Sequence, residues 1–143
     1  MSSFKAFEIA GSGMSAQSVR LNTTASNLAN AESVSGDPNT VYKPRHPVFE
    51  AVRAQLAAGA QAGQGSDAAV RVRGIYESQA PAMQRYEPGN PLADANGYVY
   101  APSVNAVEEM VNMISASRSY QNDVEVMNTS KELLMATLRL GQS

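Results

Sequence analysis

The stretch SVNAVEEMVNMISASRSYQNDVEVMNTSKELLMATLRL, Ser103–Leu140, determines the architecture of this chain. It lies between Pro102 and Gly141 and contains neither proline nor glycine, the two residue types that interrupt helices most strongly. Asn105 can cap the first turn, and Glu108 stands three residues later as the second half of a capping box. The sequence therefore predicts one helix roughly 50 Å long, longer than a globular domain of this size requires.

Apolar residues recur along this helix at spacings of three and four, which is typical of a coiled-coil-like seam. The predicted seam consists of Met110, Met113, Ser117, Tyr120, Val124, Met127, Lys131, Leu134 and Leu138. Val107, Val111 and Ile114 widen this face at its start. Near the end the apolar residues surround the helix axis: Leu133, Leu134, Met135, Leu138 and Leu140. A helix that is apolar all round is normally buried. A core helix of a monomeric bundle is one interpretation, but the rest of the chain is too small to enclose it, which favours burial by other copies or other chains.

Composition limits the classes of function open to the chain. With 143 residues, 43% of them hydrophobic and 6% aromatic, it has the length of one domain and a lean core. Its net charge of −2 gives no electrostatic basis for binding nucleic acid. It has no cysteine, which excludes disulfides and thiolate metal sites. No apolar run approaches the roughly 20 residues of a membrane span, and the N-terminus lacks the features of a cleavable secretory signal. We therefore expect no direct membrane insertion.

The first thirty residues are predicted to form a second helix that pairs with the C-terminal one. Its heptad face consists of Phe4, Phe7, Gly11, Met14, Ser18, Leu21, Ala25 and Leu28. Small residues leave room for close helix approach, namely Gly11, Gly13, Ala16, Ala25 and Ala29. Each interior glycine weakens a helix by ~1 kcal/mol relative to alanine, so we expect this helix to form against the C-terminal one.

The segment between the helices is predicted to be extended and β-rich. Residues 30–39 have the composition of a loop. Pro44 and Pro47 make Val41–Glu50 extended and at best an edge strand, whereas Val70–Tyr76 alternates like a half-buried strand. Residues 54–69 are rich in alanine, glycine and glutamine, which is typical of a flexible loop.

Prolines are also expected to keep Ala80–Pro91 extended. Asp94–Gly97 precedes Tyr98–Tyr100, and its Asn-Gly pair predicts a tight hairpin turn followed by a strand. The predicted fold is therefore mainly α with a small β-rich insertion. Residues 1–32 and 103–143 form a discontinuous domain of two long paired helices, and residues 33–102 form the inserted module.

No residue pattern in the chain indicates catalysis, a cofactor or a metal ion. His46 is the only histidine, and its extended basic surroundings favour a surface position. Glu108 and Glu109 are explained by the preference of helix N-termini for anions rather than by acid–base chemistry. Gly11 and Gly13 lack the rest of a phosphate-binding motif and a preceding strand. We therefore predict that the chain is not an enzyme.

Several motifs resemble those of the bacterial flagellar rod and hook proteins. The N-terminal signature comprises Met14–Gln17, Arg20–Asn22 and Ala25–Ala31. The resemblance continues through nearly the whole chain, at residues 48–50, 77–81, 86–94, 97–99, 113–121, 124–129 and 140–142. Residues 54–69 follow no fixed pattern.

This resemblance implies a structural subunit of the flagellar rod. Such subunits pass unfolded through the flagellar type III export apparatus and polymerise in the periplasm, where their terminal helices form the inner part of a hollow tube. The implied partners are other copies of the chain, proximal and distal rod subunits, and the rod-to-ring adaptor. Residues expected to pack in the assembly are Met14, Leu21, Ala25, Leu28, Met110, Met113, Tyr120, Val124, Met127, Leu134 and Leu138.

Two other functions are consistent with parts of the sequence. A coiled-coil adaptor or secreted translocator of a type III system would explain the heptads, but neither the β-rich module nor the motif at residues 86–94. A peptidoglycan-cutting enzyme associated with the rod is more distant, because no convincing acid–base pair is present.

Overall fold

The computed structural model describes residues 3–53 and 68–141. In sequence order, a long helix α1 (Ser3–Ala29) is followed by four strands and then by a second long helix, α2 (Ala106–Leu140). The strands are β1 (Arg45–Arg53), β2 (Ala68–Glu77), β3 (Met83–Tyr86) and β4 (Tyr98–Ala101). The expected fold class, mainly α with a small β insertion between helical ends, is confirmed.

Both ends of α2 follow from local sequence. The Asn105 side chain caps the first turn by accepting hydrogen bonds from the backbone N–H groups of Val107 and Glu108, at 3.1 and 3.4 Å. The helix stops at Gly141, which keeps a right-handed conformation with φ −82°. Gly141 thus ends the helix without the left-handed turn that glycine often provides.

The two helices pack against each other in antiparallel orientation. As residue numbers increase along α1, those of the contacting residues on α2 decrease: Gly11 adjoins Met127 and Gly13 adjoins Asp123. Further along, the Arg20 guanidinium donates to the side-chain carbonyl of Asn112 at 3.3 Å. A Cβ atom at Gly13 would lie 2.7 Å from Asp123 Oδ2, so a larger residue there would displace the Asp123 carboxylate.

The residues fully buried on the two helices are not those of the predicted heptad faces, although Gly11 and Met127 of those faces adjoin each other. On α1 the buried residues are Ala10, Ala16, Thr23, Thr24 and Asn27, and on α2 they are Glu109, Ala116 and Ser130. Among predicted face residues, Phe7, Ser18, Ala25, Met110 and Leu138 are exposed. The prediction therefore included part of the α1–α2 contact but not its most deeply buried positions. It followed the large apolar residues, whereas small and polar residues allow the close approach.

β1 and β2 form a two-stranded antiparallel ribbon with Arg45 opposite Glu77. Its register shifts after Val48, where Arg73 is the extra residue of a bulge. The extended segment predicted around Pro44 and Pro47 and the strand predicted at Val70–Tyr76 are both present. However, most of β2 is exposed, so the prediction of a half-buried strand was wrong for the single chain.

The ribbon is fastened to α1 at two places. The Ser12 hydroxyl accepts a hydrogen bond from the Val70 backbone N–H at 3.1 Å. Two residues before the C-terminal end of α1, the Asn27 side chain accepts a hydrogen bond from the N–H of Arg45 and donates one to its carbonyl, each at 2.8 Å. Most of the predicted loop 54–69 lies outside the described residues, but Ala68 and Ala69 belong to β2.

β3 and β4 form the second antiparallel pair, and Ser35 bridges the other side of β4 at Tyr100. Val99 of β4 is fully buried. The turn at Asp94–Gly97 is present, with Gly97 at φ +83° and its N–H donating to the Asp94 carbonyl at 3.0 Å. It is not the predicted tight hairpin, since residues 87–97 separate β3 from β4.

Candidate assembly site

The outer face of α2 carries most of its large apolar side chains. We call its exposed members the outer apolar face, although at the C-terminal end they surround the helix axis: Val107, Met110, Val111, Ile114, Val126, Leu133, Met135, Leu138 and Leu140. All nine are exposed, from 45% for Met110 to 77% for Leu140. In a soluble protein, this many exposed large apolar side chains on one helix indicate an interaction site. The end that the sequence predicts to be buried is therefore not buried by the described residues of its own chain.

The residues predicted to pack in an assembly fall into two groups. Those half-buried in the chain are Met14, Leu21, Leu28, Met113, Tyr120, Val124, Met127 and Leu134. Ala25, Met110 and Leu138 are exposed. The first group lies at the margin of the α1–α2 contact and the second faces outward, so the structure does not gather them into one surface. Their role between subunits stays a prediction.

Asn27 is the polar centre of the α1–α2 contact. Its side chain is fully buried. The Oδ1 atom accepts from the Tyr42 hydroxyl and from the Arg45 N–H, both at 2.8 Å. The Nδ2 atom donates to the Arg45 carbonyl and, at 3.1 Å, to Glu109 Oε2. One amide thus joins α1, β1, α2 and the loop that contains Tyr42.

An acidic groove of about 540 Å³ opens beside the N-terminus of α2. We define it by Glu32, His46, Ser103, Glu108 and Glu109, which lie on its walls. Glu109 is 95% buried, being only 5% exposed, although sequence analysis treated it simply as a residue of the first helical turn. Its preference for the positive end of the helix dipole explains its position, but not its burial.

A basic groove of about 490 Å³ lies near the other end of α2. We define it by Asn128, Lys131, Met135, Ala136 and Arg139, with Glu132 on the same wall. All of these side chains are exposed. Neither Lys131 nor Arg139 forms an ion pair within the described part of the chain.

Two carboxylates have pKa values moved in opposite directions by their surroundings. Burial against α1 raises the pKa of Asp123, whose carboxylate lies over Gly13. In contrast, the pKa of Asp94 is lowered, chiefly by the hydrogen bond from the Tyr98 N–H at 2.9 Å. Asp94 therefore stabilises its turn as an anion, whereas Asp123 is less favourable in the helix pair when it is ionised.

The described residues contain no group of three or more histidine, cysteine, aspartate or glutamate side chains placed to hold a metal ion. Across residues 3–53 and 68–141, no helix is both long and apolar enough to cross a bilayer. His46 is exposed on β1, at the wall of the acidic groove. The exposed features that the described residues do present are the apolar side chains of α2 and the two grooves.

Comparison with known proteins agrees with that geometry. A family model described as flagella basal body rod protein matches residues 7–36, which cover most of α1. A second model, described as flagellar basal body rod FlgEFG protein C-terminal, matches residues 95–140 and includes all of α2. Flagellar basal-body rod protein FlgC of Salmonella typhimurium is 54% identical over 95% of this chain and 96% of its own length. The chain belongs to the FlgC family.

More distant members agree over the same length. FlgC of Yersinia enterocolitica is 51% identical over 99% of this chain and all of its own. FlgC of Aquifex aeolicus is 42% identical over 96% of each chain. The resemblance read from the N-terminal and central motifs is thereby confirmed. Because these relatives are structural rod proteins, the prediction that the chain is not an enzyme agrees with its family.

The burial and pairing of Asn27 and Glu109 were not predicted from the sequence. Asn27 lies within the quoted signature at residues 25–31, and its occurrence among small and apolar residues of a helix was the available signal. Nothing in the local sequence distinguishes Glu109 from its exposed neighbour Glu108. Their difference arises only when α1 covers one of them.

Proposed function

We propose that this chain is a structural subunit of the proximal rod in the flagellar basal body. It polymerises with other copies of itself and with other rod proteins into a hollow shaft that transmits torque from the motor to the hook and filament. The observation that carries the proposal is the outer apolar face of α2, which belongs to a chain of the FlgC family. Such a face requires a partner chain to remove it from water.

The terminal helices and the inserted module occupy different positions in the proposed tube. Residues 1–32 and 103–143 form the inner helical part of the tube, and residues 33–102 lie outside it. Packing between subunits uses the residues predicted from the sequence, of which Ala25, Met110 and Leu138 are the most accessible. Its other partners are distal rod subunits and the rod-to-ring adaptor.

The location of the assembled chain is the periplasm, which it reaches through the flagellar type III export apparatus. The make-up of the α1–α2 contact supports this route, because its fully buried residues are small or polar and contribute less apolar burial than large side chains would. The inserted module has two separate two-stranded sheets, which are also marginal alone.

Replacement of Leu138 by aspartate tests the proposal. Leu138 is 62% exposed, so the change leaves the isolated subunit intact. In a packed tube it buries an unpaired carboxylate in every copy, at several kcal/mol each. We expect export to continue while incorporation into basal bodies and motility are lost.

The matched control is Ala80→Asp, which adds the same carboxylate at an exposed position outside the helices. Both variants and the unmodified chain are expressed in a strain lacking the native subunit, and purified basal bodies are analysed by immunoblotting. Normal incorporation of Leu138→Asp would contradict the packing assignment. Absence of the unmodified chain from basal bodies would contradict the rod function itself.

A further inference from the structure

We propose that Met135 is an oxidation site at which an anionic peroxide converts the free subunit into a form that does not assemble. The side chain lies on the wall of the basic groove, together with Lys131 and Arg139. Oxidation of its sulfur puts a polar oxygen on the outer apolar face. The chemistry at the sulfur is independent of the proposed function, whereas the effect on assembly rests on it.

Methionine thioethers are the only sulfur groups that a peroxide can oxidise in this chain, because it has no cysteine. Of its seven methionines, Met1 lies outside the described residues. The half-buried ones are Met14, Met113 and Met127. The exposed ones are Met83, Met110 and Met135, at 53%, 45% and 49%. An oxidant in solution therefore reaches these three sulfur atoms most easily.

The surroundings of Met135 attract anions. Lys131 precedes it by four residues and Arg139 follows it by four, so both lie on the same side of α2 as Met135 and line the same groove. Neither cation forms an ion pair within the described part of the chain. Glu132 is the one carboxylate that the described residues place on this wall, which leaves the groove positive. An anionic oxidant is therefore concentrated beside this sulfur.

Met83 has the opposite surroundings at nearly the same exposure. Its side chain lies on the wall of the acidic groove, which also carries Glu32, Glu108 and Glu109. Even with His46 protonated on that wall, the three carboxylates exceed the positive charge of the imidazolium and of the α2 dipole, which is about half a unit. An anion is repelled from this sulfur, so Met83 serves as a control within the same molecule.

The reaction at Met135 transfers one oxygen atom. A lone pair of the sulfur attacks the terminal oxygen of the peroxide, the S–O bond forms as the O–O bond breaks, and the thioether loses two electrons. With peroxymonosulfate the leaving group is sulfate, which accepts the proton of the transferred hydroxyl group. Methionine sulfoxide reductases reverse the change, with thiols as the source of electrons.

The sulfoxide alters the part of α2 that is proposed to pack against other chains. Met135 belongs to the outer apolar face, and Leu138, about one turn further on, is also exposed. A thioether packs there as an adaptable apolar side chain, whereas a sulfoxide is polar and disrupts such contacts. Burying its oxygen without a donor is unfavourable. A hydrogen bond from Lys131 or Arg139 would satisfy the oxygen but would bring a cation onto the packing surface.

Peptide mass spectrometry of the purified chain tests the oxidation site. The chain is treated at low salt with hydrogen peroxide, which is neutral, or with peroxymonosulfate, which is an anion. We expect Met135 and Met83 to oxidise at similar rates with hydrogen peroxide. With peroxymonosulfate, Met135 should react about tenfold faster than Met83. In ~1 M salt, which screens charges beyond about 3 Å, this ratio should fall towards the value for hydrogen peroxide.

Removal of the two cations provides a matched comparison. Lys131→Gln combined with Arg139→Gln should abolish the preference of peroxymonosulfate for Met135 and leave the rate with hydrogen peroxide unchanged. Arg71→Gln combined with Arg73→Gln removes the same charge from exposed positions of β2 and should leave the preference intact. The same ratio of rates for both oxidants, or a preference that survives loss of Lys131 and Arg139, would overturn the oxidation site.

Substitutions that imitate the two states of Met135 test the effect on assembly. Met135→Gln places a polar oxygen near the position of the sulfoxide oxygen, whereas Met135→Leu stays apolar and cannot be oxidised. Met83→Gln is the control for the same change outside the helices. In a strain lacking the native subunit, basal bodies should contain about threefold less Met135→Gln than either other variant, or lower still.

Equal circular dichroism spectra of the purified variants are expected, because the changed side chains are exposed. Incorporation of Met135→Gln at the level of Met135→Leu would overturn the effect of oxidation on assembly. The unmodified chain is measured beside the variants, and its presence in the basal bodies would leave the rod function standing in that case.

Discussion

The inner and outer faces of α2 show opposite relations between residue size and burial. The inner face meets α1 through small or polar residues, among them Ala116 and Ser130, which are buried. The outer face carries leucine, isoleucine, valine and methionine in water. In a self-sufficient domain the large apolar residues form the core. The difference supports the proposal that the strongest hydrophobic contacts of this helix are made with other chains.

The largest expected effect on the inner face comes from Asn27→Ala. The change removes four hydrogen bonds from a fully buried amide and leaves the Tyr42 hydroxyl, the Arg45 backbone and Glu109 without it. We expect a loss of about 2–4 kcal/mol in the free energy of unfolding, measured by chemical denaturation followed by circular dichroism. Asn22→Ala on the exposed side of α1 is the control. Similar losses in both variants would remove Asn27 from the centre of the contact.

An intermediate effect is expected from Ala25→Leu on the outer side of α1. Ala25 is exposed in the subunit, so added methyl groups leave its stability nearly unchanged. If neighbouring subunits pack closely there, the extra volume overpacks the site by roughly 1–3 kcal/mol per copy. Basal-body yield should fall, whereas Asn39→Leu in an exposed loop should not alter it. An unchanged yield would mean that this side of α1 faces no close neighbour.

The smallest expected effect is the pH dependence at Asp123. Burial raises the pKa of this carboxyl above its ordinary value of 3.8, so the paired helices bind its proton more tightly than the unfolded chain does. The stability this confers is present below the unfolded pKa and is lost as pH rises through the raised value. Asp123→Asn should remove that slope while retaining the shape of the side chain. An identical pH profile for both proteins, recorded by thermal unfolding, would show that Asp123 does not contribute.

The sequence allowed the fold class and both helix identities to be predicted because each rests on local information. Asn105 caps a helix through its own side chain, and the Asn-Gly pair at residues 96–97 provides the positive φ of a turn. The contacting face of each helix was harder to predict. The heptads of large residues indicate one face, whereas the contact between Gly13 and Asp123 lies on another. The second is visible only when two distant segments are brought together.

The same reasoning applies to the candidate site. Leu138 and Met110 were predicted from their spacing to pack in an assembly, and both are exposed in the single chain; their packing between subunits stays a prediction. The difference in burial between Glu108 and Glu109 could not be predicted, because it depends on contact with α1, where Asn27 lies 82 residues before Glu109 in the sequence. Spacing alone also cannot distinguish a contact within the chain from one between chains.

The two attachments of the β1–β2 ribbon to α1 have a mechanical consequence. Ser12 holds Val70 at one place and Asn27 holds Arg45 at another, and these points are roughly 22 Å apart along the helix. Ala51, the partner of Val70, lies six positions after Arg45 in β1. An extended strand covers about 20 Å over six positions. The two attachment points are therefore about equally far apart along α1 and along β1. Bending or unwinding of α1 would have to stretch the strands or break the hydrogen bonds at both attachments. The helix and ribbon therefore act as a composite strut that is stiffer under load than either element alone.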